Sequence, residues 1–270
     1  MFKWLVYVLL AWNAFQFLQE DLAASAETFG NTITWRNLVE AFSATIDTSA
    51  WLVLLLVFEF ETAIISDDRL KGGLKWFLGI LKAFCYFLIV YAFYGYLNKY
   101  FVITNLLPFS ISDVCSLVGT DWNYVVSLDD YPPVDTVGCA SMQGQELLRI
   151  SGTEIIGTPD AMSSAWGLAV IDVINAATWL VIVFLLEAEV WMQLRDALTD
   201  RSMKLGKYLK GFFYSILFIA AAYWGFEGSF LDFWDAFLWL VAFIFIELNI
   251  FQWHEEVEEE HEMEQLKETQ

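Results

Sequence analysis

Apolar residues collect in six stretches, roughly 4–18, 48–66, 76–97, 166–192, 208–226 and 235–253, parted by short polar connections and one long polar segment. A helix needs about 20 apolar residues to cross a hydrocarbon core, and most of these stretches approach that length. The first is the weakest, with Asn13 and Gln16 inside it. The run "LAASAE" that follows offers a small-residue cleavage site after Ala26. Glu20 and Asp21 sit in what would be the cleavage region, so an uncleaved first helix is expected. The pattern predicts an all-α transmembrane fold, a six-helix polytopic bundle with one small extracytoplasmic loop domain. Its expected divisions are residues 1–97 for the first three helices, 98–165 for the loop domain, 166–253 for the last three helices and 254–270 for an acidic tail.

Composition strengthens this reading. Hydrophobic residues make up 58% of the chain and charged ones 18%, against about 25% charged in a soluble domain. The excess apolar surface needs lipid to face. Lys3, Arg69, Lys71, Lys75, Lys82, Arg195, Arg201, Lys204, Lys207, Lys210 and Lys267 fall on one side of the expected membrane, and only Arg36, Lys99 and Arg149 on the other. The basic side is the cytoplasm by the positive-inside rule, which puts both termini there. Short loops and the lack of a glycosylation sequon favour a bacterial inner membrane.

The long segment 98–165 is then external. It carries every proline of the chain, eight acids against two bases, and Cys115 and Cys139, for which a disulfide is expected in an oxidising compartment. A few strands are expected around "WNYVVSL". A connection of this length usually has structure or a function of its own.

Three of the apolar stretches share a motif: Asp or Asn, three residues, Trp-Leu-Val, five residues, Glu. Its copies are Asp47, Trp51 and Glu59, then Asn175, Trp179 and Glu187, then Asp235, Trp239 and Glu247. A second acid follows in the first two copies, as Glu61 and Glu189. "DDRLKGGLKWFLG" also resembles "TDRSMKLGKYLKGFF", so a duplicated helical hairpin is expected. In each copy the Asp or Asn is expected near the external surface as a helix cap. The glutamate follows 12 residues later, about 18 Å along the axis, in the cytoplasmic half of the hydrocarbon.

Lys82 and Lys210 come level with these acids on the next helix of each hairpin and are the expected counter-charges. Two readings of the acids follow. In the bland one, each acid and lysine pin a hairpin, which offsets an insertion cost of about 2.5–3.5 kcal/mol for a central acid. In the functional one, Glu59, Glu187 and Glu247 form an ion or proton path, because like charges held close together can share a proton or a cation. Asp172 and Asn175, three apart on one helix face, offer a further ligand position or a cap.

Other chemistry is sparse. The tail places His254, Glu258 and His261 on one helical face, a weak metal-binding pattern that more simply reads as a solvated acidic helix. No catalytic triad setting, phosphate loop or haem-ligand histidine is present, so no enzyme activity and no cofactor are expected. A net charge of −20 without a basic run argues against nucleic acid. The expected function is a membrane protein that conducts, transports or senses a small cation or proton. The alternative is a structural or assembly subunit, as a homo-oligomer or within a larger membrane complex.

Overall fold

The computed structural model describes residues 2–29, 34, 38–60, 72–193 and 199–244. The chain is mostly helical. Helix α1 (Phe2–Phe29) is followed by the short α2 (Leu38–Ala41), α3 (Ser43–Glu59) and α4 (Gly73–Thr104). After an intervening cap come α6 (Pro159–Gln193) and α7 (Asp200–Glu227). A further helix, α8, is described over 230–244. Among the described residues, Gly73–Thr104, Pro159–Glu189 and Arg201–Glu227 are long and apolar enough to cross a membrane.

Helix α4 has 32 residues and α6 has 35, so each is roughly 50 Å long at 1.5 Å per residue. That exceeds a hydrocarbon core of about 30 Å. The cap lies between the C-terminal end of α4 and the N-terminal end of α6. Helix α4 continues through 98–104 and α6 begins at Pro159, so the folded cap between them runs over 105–158. "LAASAE" lies within the continuous helix α1.

The cap holds a four-stranded sheet in the order β1-β3-β4-β2. Strand β3 (Leu147–Ile150) pairs antiparallel with β1 (Leu106–Phe109) and with β4 (Ile155–Gly157). Strand β2 (Asn123–Tyr124), within "WNYVVSL", pairs parallel with β4. Asp113 caps a 3-10 turn at Val114–Leu117, and Asp135 caps the short α5 (Thr136–Met142). The Cys115–Cys139 disulfide clips this turn to α5. Arg149 lies over the Trp122 ring at 4.9 Å.

Three hydrophobic clusters hold these parts together. Val114, Val134, Met142, Leu147 and Ile156 form the cap's own core. A second joins cap to helices through Ile103, Val125, Leu128, Ile155, Met162, Leu168 and Trp224. The third lies among the helices, where Leu10, Trp51, Ile89, Trp179, Leu217, Trp239 and Phe243 meet from α1, α3, α4, α6, α7 and α8. Gly95 lets α4 approach α2 closely, since a Cβ there would stand 2.6 Å from the Val39 carbonyl oxygen. Large apolar side chains such as Phe77, Phe84, Phe87, Phe212 and Phe218 remain exposed on α4 and α7, as a lipid-facing surface requires.

Candidate functional site

The three tryptophans of the repeated motif converge. Trp51 lies 5.9 Å from Trp179 and 6.4 Å from Trp239, ring centre to ring centre. Phe243, one turn beyond Trp239, wedges between them at 4.4 Å from Trp179. These rings form the floor of a chamber of about 520 Å³. Its walls are α1, α3, α4, α6, α7 and α8, and its roof is the cap loop Val126–Asp130. That volume lies within the range of small-molecule sites, roughly 300–1,000 Å³.

Helical spacing sets what stands above the floor. Asp47, Asn175 and Asp235 each precede a floor tryptophan by one turn, about 6 Å along the axis. Asp172 and Asp232 precede theirs by two turns, about 10 Å. All five line the chamber. The hydropathy pattern suggested that Asp47, Asn175 and Asp235 cap helix starts, and the structure corrects this. Helix α3 begins at Ser43 and α6 at Pro159, and 230 is already helical, so the three lie inside their helices. The motif spacing has a local reason too: the Asp47 carboxylate interacts with the Trp51 indole, and Asp235 with Trp239, one turn on.

The remaining wall residues fix these acids in place. The Tyr96 hydroxyl donates to Asp47 at 3.3 Å. Asn13 Nδ2 donates to Asp235 at 2.9 Å. Asp21 accepts from the Thr45 backbone N–H at 2.9 Å and from its hydroxyl at 2.6 Å. The Ser229 hydroxyl donates to Asp232 at 2.8 Å. Glu20, Asp129, Asp130 and Glu227 complete the acidic lining. Among the described residues, Lys99 is the only base that lines the chamber. Its ammonium reaches the roof, bonding Asp129 at 2.9 Å with its side chain 12% exposed. A low-dielectric recess walled by one sign of charge raises the local concentration of the opposite sign.

Glu59 and Glu187 of the motif lie beyond the tryptophan floor, and their surroundings are different. Glu59 is 1% exposed and held by Lys3 at 2.7 Å and the Tyr7 hydroxyl at 2.7 Å, both on α1. Glu59 thus has a base on α1, which the hairpin pattern does not reveal. Glu187 is exposed and accepts from the Tyr86 hydroxyl at 2.6 Å. Glu189 pairs with Lys210 at 2.9 Å, across α6 and α7. Lys82 is half-buried on α4. Glu61, Glu247, His254, Glu258 and His261 lie outside the described residues. Cys115 and Cys139 are joined.

No family model, curated protein or solved structure matches the chain.

Proposed function

We propose that this is a multi-pass protein of a bacterial inner membrane, with both termini in the cytoplasm, that admits a cation through the chamber beneath its external cap and conducts, transports or senses it. The observation that carries this reading is the chamber itself: a recess lined by carboxylates from α1, α3, α6, α7, α8 and the cap, with one lysine among them. The Lys and Arg distribution favours the orientation. In this reading the motif's glutamates, Glu59, Glu187 and Glu247, stand at the cytoplasmic side of the tryptophan floor, with Lys82 and Lys210 near them as counter-charges. The floor separates the two acidic regions, so transport would require the rings to part.

Sealed liposomes carrying the purified chain test this directly. Proton and cation flux under imposed gradients should exceed that of empty liposomes and be lost in Asp47→Asn/Asp235→Asn. Both substituted amides keep a side-chain oxygen for Tyr96 or Asn13 to donate to, so the variant should incorporate equally. Flux that survives in the variant would sink the chamber as the entry. If neither version conducts, transport is wrong and sensing or assembly remains.

A further inference from the structure

The chamber combines features that no single simple cation uses together. A metal ion with about six first-shell waters, each near 30 Å³, needs roughly 200 Å³, well below the 520 Å³ present. A hydrated metal also gains little from an aromatic floor. The tryptophan rings do offer apolar surface against which the methylenes of an alkylammonium can pack. The chamber already holds such a group, because Lys99 presents a primary alkylammonium to Asp129 inside it. Nine acidic residues line the chamber, more than one further monocation can engage. Those carboxylates are tiered: Asp47 and Asp235 stand about one turn above the tryptophans, Asp172 and Asp232 about two, and Asp129 and Asp130 are in the roof.

We infer that the occupant is a linear polyamine, whose ammonium groups separated by short methylene chains meet successive tiers while its methylenes lie against Trp51, Trp179 and Trp239. This rests on the reading of the chamber as a cation site and names the class of cation. It accounts for both the vertical spread of the carboxylates and the apolar floor. A calcium or sodium site would require a compact oxygen cage instead.

The test is calorimetric titration of the full chain in zwitterionic lipid nanodiscs, with empty nanodiscs as control. Butylamine, putrescine, spermidine, sodium and calcium serve as probes. Affinity should rise roughly tenfold with each added ammonium group, as expected when a further close charge pair forms at an intermediate dielectric. Asp47→Asn/Asp235→Asn should weaken spermidine at least tenfold, and Trp179→Leu several-fold. Asp172→Asn serves as the second variant should the double one melt early. Equal affinity for butylamine and spermidine would overturn the inference. So would saturable calcium or sodium binding that the double variant abolishes, although that result would keep the cation reading. Absence of binding by every probe would overturn both.

Discussion

Acidic residues gather on both sides of the tryptophan floor, and their circumstances differ. Beyond the floor, Glu59 and Glu189 are each held by a lysine, Lys3 and Lys210, and Glu187 is held by a tyrosine hydroxyl. Above it, a ring of carboxylates faces an open volume with Lys99 as the one base among the described lining residues. Removing two charges from water costs more than a surface pair regains, so a buried pair persists through good geometry and full hydrogen bonding. Glu59 meets that condition. The chamber acids are instead held in place by Tyr96, Asn13, Thr45 and Ser229, neutral donors that fix position without cancelling charge. An acid given its own base serves the fold, whereas acids aimed together at a cavity are available to something that enters it.

That contrast makes graded predictions. The largest effect should come from Lys3→Met, which takes an ion-pair partner from the 1% exposed Glu59 carboxylate and should cost about 3 kcal/mol. Adding Glu59→Gln should restore much of that loss in thermal melts of the detergent-solubilised protein. If Lys3→Met melts like wild type, the pair is not structural. Next, the Cys115–Cys139 link spans a sequence separation of 24 residues that includes Asp129 and Asp130. Replacing both cysteines by serine should destabilise the cap by about 2–3 kcal/mol. Limited proteolysis should then cut first within 116–138.

The chamber acids should behave in the opposite sense. Asp47→Asn/Asp235→Asn relieves like-charge crowding, so the empty protein should melt at or above wild type, by up to about 1 kcal/mol. A clear loss of stability would place these acids with Glu59 as structural groups. Smallest of all, Glu187→Gln alters an exposed acid with a neutral partner and should stay within about 0.5 kcal/mol of wild type.

Much of this architecture was legible from the chain. Apolar runs located α4, α6 and α7, because a helix that faces lipid must be apolar along its length. The concentration of prolines and the cysteine pair marked the cap. The Asp/Asn-x3-Trp spacing marked the residues that build the chamber, but hydropathy misplaced them. The apolar signal begins at 48 and 235 while α3 begins at Ser43 and 230 is already helical, so residues one turn inside a helix looked like caps. Lys3 was invisible for a different reason. Its partner lies 56 residues away on a helix that is not the next in the hairpin, and spacing along one element cannot reveal a pairing made by tertiary packing. The chamber is likewise a product of convergence: six separate segments each contribute one or two acids, and no single segment looks exceptional alone.

The central claim is that the region above the tryptophans is open to cations from the cap side. The sharpest test is thiol labelling of Asp172→Cys in a Cys85→Ala background, in sealed vesicles of known orientation. A positively charged methanethiosulfonate applied from the cap side should react at least roughly tenfold faster than a negatively charged one, because the lining acids concentrate the cationic reagent. Equal rates for the two reagents, or labelling only from the side of the Lys3–Glu59 pair, would contradict the account.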